Sequence, residues 1–219
     1  MPNTLKVGVI ISGRGSNLQS LLAATAAPGF PAQIVTVLSN RPAAGGLAHA
    51  RAAGVPGEVV DHKAYTRRED FEAALTASLE RAAVDLVCLA GFMRVVTPGF
   101  VRHWQGRMIN IHPSLLPSFP GLDTHARALA AGVKLHGCSV HYVSEEVDGG
   151  PIIGQAAVPV LPEDDADSLA ARVLRAEHRL YPACLRLVAE GRARLADGKV
   201  QLAAPLDAAA QIFNPPAGA

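Results

Sequence analysis

The chain has 219 residues, 49% of them hydrophobic and only 5% aromatic, enough for one domain around an aliphatic core with at most a small appendage. A net charge of +1 without a Lys/Arg cluster argues against a nucleic-acid surface, and no apolar run is long enough to span a membrane. Three widely spaced cysteines, Cys88, Cys138 and Cys184, form neither a metal pair nor a disulfide framework, and the expected compartment is the reducing cytoplasm.

The first strand pattern starts at Leu5, directly after a polar N-terminus that does not read as a signal peptide. Residues 5–11 (LKVGVII) are apolar and β-branched without alternation, as in a buried parallel strand. Ser12-Gly13-Arg14-Gly15-Ser16 is a tight turn, and residues 17–27 carry Leu18, Leu21 and Leu22 at helical spacing up to Pro28-Gly29. A strand over 33–38, a short helix over 46–53 with Gly54 as C-cap, and a strand over 58–60 follow. Thr66 and Glu69 have capping-box spacing ahead of a helix over 67–83, and 84–90 is a fourth strand. Thr97-Pro98 reads as an N-cap with proline at the first helical position. Residues 108–111 form the next strand, and Pro113, Pro117 and Pro120 stiffen the loop behind it and exclude a helix there. A small helix over 124–131 and strands over 137–143 and 152–160, paired antiparallel, complete this half. A helix over 168–191 breaks or kinks near Pro182. Residues 192–195 and 199–202 make a hairpin around Asp197-Gly198, and the tail with Pro215-Pro216 is frayed. Strands alternating with helices give an α/β, Rossmann-like, mostly parallel twisted sheet flanked by helices, with an antiparallel strand in the C-terminal half. On such sheets ligands sit at the carboxyl ends of the strands.

Several residue groups carry chemistry. Gly13-Arg14-Gly15-Ser16-Asn17 opens a helix behind a strand, where backbone N–H groups and the helix dipole favour an anion. It lacks the third glycine of a dinucleotide fingerprint and the Gly-Lys-Ser/Thr of a Walker loop; a phosphate cradle and an ordinary glycine-rich turn both fit it. Ser16 and Asn17 add side-chain donors. Asn110 and His112 stand two apart and share one face of their strand. An amide to steady an oxyanion and an imidazole to move protons are what acyl transfer needs, with Asp148 on a Gly149-Gly150 turn as orienter or base. The plainer alternative is two polar residues at a strand end and an unrelated turn aspartate. Glu177 sits at the edge of the apolar face Leu169, Val173, Ala176 and Leu180, reaching either solvent or a cleft. Residues 91–96 either pack a core with one solvated arginine or wall a pocket for a flat heterocycle. His125, His136 and His141 lack metal-ligand spacing and read as structural or supporting residues; Cys138 reads as a small buried residue.

Taken together and in order, ISGRGSNLQSLL, SNRPAAGGLAHARAAG, LAGFMRVVTPGFV, INIHPSLLPSFPGLDTHARAL, HGCSVHYVSEEVDGGPIIGQAAVPV and AEHRLYP resemble the phosphoribosylglycinamide formyltransferases of the formyltransferase family, from about residue 7 to 191. The resemblance implies transfer of a formyl group from 10-formyltetrahydrofolate, as co-substrate, to glycinamide ribonucleotide in purine synthesis, with no metal. It implies Asn110, His112 and Asp148 as the catalytic trio. Gly15, Ser16 and Asn17 would hold the acceptor's phosphate, and Glu177 its amine. Arg68, Met93, Arg94, Val95, Val96, Val143, Ser144, Glu145, Glu146 and Val147 would line the folate side. At position 123, where some relatives carry histidine, stands Asp123, with no role assigned.

The expected organisation is one formyltransferase domain over 1–191, with a phosphate-binding half over about 1–100 and a catalytic, folate-binding half over 101–191, followed by a hairpin and tail over 192–219. The expected assembly is a monomer or homodimer, without nucleic-acid or membrane partners. A formyltetrahydrofolate hydrolase would use the same trio with water as acceptor, but such relatives carry an N-terminal regulatory domain for which a strand at Leu5 leaves no room. A methionyl-tRNA formyltransferase would add a C-terminal domain, and after Gly191 only 28 of the 219 residues remain. A non-catalytic folate- or nucleotide-binding module would not need the trio intact.

Overall fold

The computed structural model describes residues 4–203. Seven strands form one sheet in the order β3-β2-β1-β4-β5-β6-β7: β1 Leu5–Ile11, β2 Ala32–Ser39, β3 Gly57–Val59, β4 Leu86–Leu89, β5 Met108–His112, β6 Leu135–Tyr142 and β7 Ile152–Pro159. β1 to β5 pair in parallel; β6 runs antiparallel to both β5 and β7. The antiparallel strand expected in the C-terminal half is therefore β6. The order reverses direction at β1 and β4, the switch point where open α/β sheets bind ligands.

Alternation along the buried strands divides the core into two layers. Val7, Val9, Ile11, Cys88, Ile109, Ile111, Cys138 and Val140 face α1 Ser16–Thr25 and α6 Ala166–Ala189. Ile10, Val87, Leu89 and Met108 face α3 Arg68–Arg81 and α4 Pro98–His103, which contribute Phe71, Leu75, Leu79, Phe100 and Val101. α2 Gly46–Ala52 leads into β3, and α5 Thr124–Ala130 precedes β6. The hairpin β8 Ala193–Ala196 and β9 Lys199–Leu202 forms a separate antiparallel sheet, turning through Asp197 (φ 50°) and Gly198 (φ 71°). Ala193 is buried in the core, and its carbonyl accepts from the Tyr142 hydroxyl at 3.4 Å.

Several local expectations are corrected. α1 begins at Ser16, one residue early, and α2 ends at Ala52, with Ala53 as C-cap and Gly54 beyond it in the left-handed region. The Thr66/Glu69 capping box does not form: Arg67 is the N-cap of α3 and makes no side-chain cap bond, which puts Glu69 one position too early. α6 does not break at Pro182 but continues for 24 residues. Leu169, Val173, Tyr181, Cys184 and Leu185 bury its face on both sides of the proline, and that packing outweighs one missing N–H. Thr97 caps α4 as expected, accepting from Phe100 N with Pro98 in the first turn. The Pro215-Pro216 tail lies outside the described residues.

Candidate active site

The loop after β1 is held at the switch point by backbone contacts. Ser12 N donates to Gly91 O (3.2 Å), and Met93 N donates to Ser12 Oγ (2.9 Å), joining the loops behind β1 and β4. Gly15 caps α1 at φ 78°, and a Cβ there would lie 2.5 Å from Gly46 Cα, where α2 begins. Only glycine combines that dihedral with that approach. With no side chain capping α1 and Gln19 N the first amide bonded back to Gly15 O, the N–H groups of the first turn are left for an anion.

Asn17, two residues into the helix, makes a bond the sequence did not suggest. Its Nδ2 donates one of its two N–H groups to Glu177 Oε2 at 2.6 Å. Both residues are buried, and Asn17 Oδ1 has no partner. Burial pushes the Glu177 carboxyl above its ordinary range, and the Asn17 hydrogen bond partly offsets this. Of the two fates open to Glu177 in the sequence, the carboxylate takes the interior one.

The second cluster lies on the α3/α4 face of the sheet, where polar side chains succeed Met108 along β5. Asn110 pairs across strands with His141, and His112 with Ser139, so all four project from the same face. His112 Nδ1 lies 3.4 Å from Asp148 Oδ2, and its Nε2 lies 3.1 Å from Phe119 O. A carbonyl only accepts, so Nε2 carries a proton. Asp148 Oδ2 also accepts from Gly121 N (2.8 Å), and Asp148 Oδ1 is 3.8 Å from His141 Nε2. Thus the trio expected from the sequence is brought together, and Asp148 is no isolated turn residue. It is delivered by a loop in which it adopts φ 56° itself, and in which a Cβ at Gly150 would overlap the Tyr142 carbonyl.

His141 is the supporting residue that sequence reasoning left without a partner. Its Nε2 lies 3.2 Å from Asn110 Nδ2, and its Nδ1 lies 2.9 Å from Tyr142 O. The amide nitrogen only donates and the carbonyl only accepts, which selects the neutral Nδ1–H tautomer. Burial lowers its proton affinity in the same direction, with the Tyr142 carbonyl and Asp148 opposing. His141 therefore fixes which way the Asn110 amide faces. Ser139, missed altogether, holds the loop after His112: it accepts from Leu116 N (3.0 Å) and Gln155 Nε2 (2.9 Å) and donates to Ser114 O (2.7 Å). Nearby, His136 Nε2 of β6 meets His125 Nδ1 of α5 at 3.2 Å, and burial drives the His136 ring down to about 4. Among the described residues, no group of three or more His, Cys, Asp or Glu could hold a metal ion.

Beside this cluster an apolar strip meets solvent. Met93, Val95 and Val147 are 63%, 56% and 52% exposed, so packing into the core does not account for them. Arg94 stacks over the Phe71 ring (5.6 Å) rather than standing free in solvent, while Val96 and Val143 pack on the α3/α4 core. Glu72, buried in α3, accepts from Thr97 N (2.9 Å) and from the Thr97 hydroxyl, pinning the end of the strip. On the opposing loop Glu145 pairs with Arg102 of α4 (2.8 Å), and Ser144 Oγ donates to Glu146 O (3.0 Å). Arg68 is exposed in the first turn of α3, and no hydrogen bond or ion pair among the described residues ties it to the strip.

Comparison with known proteins places this arrangement. The formyl transferase family profile matches residues 5–185. The chain is 44% identical over 191 residues to phosphoribosylglycinamide formyltransferase of Escherichia coli, covering 87% of this chain and 90% of that one. It is 53% identical over 190 residues to the trifunctional purine biosynthetic protein adenosine-3 of Drosophila melanogaster, covering 86% of this chain but only 14% of the length of that larger protein. The crystal structure of glycinamide ribonucleotide transformylase 1 from Symbiobacterium toebii superposes with a TM-score of 0.89 at 46% identity, over 92% of this chain and 95% of that one. No helix among the described residues is long and apolar enough to cross a membrane. The chain belongs to the formyl transferase family.

Proposed function

We propose that the chain transfers the formyl group of 10-formyltetrahydrofolate to the amine of glycinamide ribonucleotide, giving N-formylglycinamide ribonucleotide. The observation that carries this reading is the presence of two half-sites behind β1 and β5, parallel strands of one sheet separated only by β4. One is an uncapped helix terminus beside a buried acid; in the other Asp148 lies within ion-pair range of His112 and of His141, whose ring also meets Asn110. The first turn of α1, with Gly15 and Ser16, receives the phosphate, and Glu177 faces the acceptor's amine end. Met93, Arg94, Val95 and Val96 on one side, and Val143 to Val147 on the other, receive the folate, with Arg68 reaching its acidic tail.

The neutral amine attacks the formyl carbon, and a tetrahedral oxyanion forms. Asn110, turned by His141, offers it the amide N–H that His141 does not use. His112 offers Nε2–H, which must first leave the Phe119 carbonyl; the loop after β5 therefore shifts as substrate binds. Asp148 stabilises the imidazolium and takes part in moving the amine proton to the departing N10. One oxyanion donor contributes about 10²–10³-fold and positioned proton transfer about 10²–10⁴-fold. The test is loss of 10-formyltetrahydrofolate with and without glycinamide ribonucleotide. Acceptor-dependent loss supports the transferase. Acceptor-independent loss would make the chain a hydrolase, and no loss a binding module.

A further inference from the structure

Asn17 and Glu177 are 160 residues apart in the chain yet share a 2.6 Å hydrogen bond inside the protein. α1 packs against α6, which places the second residue of the anion-binding turn directly on the buried acid. No cation among the described residues pairs with Glu177; besides Asn17, the titratable group facing it is the Cys138 thiol of β6, itself pushed up to about 12 by burial and so neutral. A phosphate oxygen only accepts, and one of the two Nδ2–H donors of Asn17 is committed to Glu177. What Asn17 leaves over is its second N–H and Oδ1, the latter a buried acceptor without a partner. An unsatisfied buried acceptor is costly unless a bound molecule satisfies it.

We infer that the Asn17 side chain is a positioning residue for Glu177. Its Nδ2–H holds the carboxylate in place, and its Oδ1 joins Glu177 in a two-acceptor recess for an N–H or O–H donor of the phosphorylated acceptor. This rests on the acceptor reading above for the identity of the donor, and on the structure alone for the Asn17–Glu177 link. The phosphate then depends chiefly on the backbone amides of the first turn. The recess selects against ligands that carry only acceptors beyond their phosphate.

The link has consequences that a merely structural asparagine lacks. Asn17→Ala removes the one interaction that favours the ionised acid, so the carboxyl titrates at higher pH; difference infrared spectra against Glu177→Gln follow this in the unliganded protein. Inorganic phosphate, titrated calorimetrically, should bind the wild type and Asn17→Ala within about twofold of each other. In turnover, Asn17→Ala should raise the acceptor's KM about tenfold or more and move the acid limb of kcat/KM to higher pH. In a Glu177→Gln background the same substitution should change KM less than about threefold, because the two act as a unit. Asn17→Ser, which keeps a shorter donor, guards against misfolding and should lie between the two. Weakened phosphate binding with an unmoved carboxyl titration, or Asn17 and Glu177 effects that simply multiply, would overturn the assignment. A wild type that transfers no formyl group would sink the acceptor reading while the infrared and phosphate titrations still decide the role of Asn17.

Discussion

Gly13 and Gly15 stand two residues apart in the same loop, and the structure assigns them opposite tolerances. A Cβ at Gly15 would lie 2.5 Å from Gly46 Cα and 3.3 Å from Gly46 N, both backbone atoms that cannot swing aside, and φ is 78°. The left-handed dihedral costs a non-glycine residue about 1–2 kcal/mol, and forcing an extra carbon against packed backbone costs about 1–3 kcal/mol. Gly15→Ala should therefore lose about 2–5 kcal/mol, a large share of a typical stability of about 5–15 kcal/mol. At Gly13 a Cβ meets nothing within 4 Å and φ lies outside the left-handed range, so Gly13→Ala should stay within about 1 kcal/mol of the wild type. Urea unfolding followed by circular dichroism reads both, with the slope required to stay constant for the midpoints to be compared. Because the displaced turn also misaims its amides, Gly15→Ala should raise the acceptor's KM about 10–100-fold, the value of one charge-assisted hydrogen bond. Equal midpoints for the two variants would refute the account of why this turn needs its second glycine.

Asp148→Asn keeps the volume and an acceptor for Gly121 N but loses the charge beside His112; single-turnover formyl transfer should fall about 10²–10⁴-fold while the melting temperature moves by only a few degrees. Ser139→Ala strands the Leu116 amide in the interior, and urea melts should register a loss of about 1–3 kcal/mol; no loss would show the loop after His112 to be held by other means. His136 is lowered from 6.5 to about 4, so folding favours its neutral form. Its stabilising contribution is full above pH 6.5 and is lost as pH falls from there toward about 4, amounting to about 3 kcal/mol. Stability curves for wild type and His136→Gln should converge by that amount on acidification, and parallel curves would count against it.

What could be read from the sequence was whatever depends on neighbours in the chain. The unbroken apolar run of β1, the glycines behind it, the Thr97-Pro98 cap and the i, i+2 pair Asn110/His112 are local patterns, and the structure reproduces them. What escaped depends on register or on packing between distant elements. His141 gains its meaning only because β6 pairs with β5 so that it faces Asn110. The Asn17–Glu177 bond follows from α1 lying on α6, which no spacing reveals. The capping box failed because the matching pair lay one residue out of phase with the true start of α3. Pro182 does not break α6 because propensity is a weak prior beside a long buried face.

The direction of β6 is what assembles the candidate site at the end of β5. A parallel strand beside β5 would need a crossover, and its residues would run away from the carboxyl ends together with those of β5. Running antiparallel, β6 passes Ser139 and then His141 back along β5, bringing the two supports to His112 and Asn110 in turn. It then feeds a loop whose last turn, at Gly149-Gly150, returns Asp148 to the His112 ring. Register leaves no slack in this arrangement. A slip of one residue would turn Ser139 and His141 into the α1/α6 core and expose Cys138 and Val140 in their place. The apolar layer that fixes the register therefore also fixes the geometry of the candidate site. A substitution such as Val140→Thr should for that reason depress turnover through misaligned His141 and Ser139, beyond what its stability loss explains. If turnover per folded molecule at saturating substrate stayed unchanged, the coupling of core register to the site would have to be abandoned.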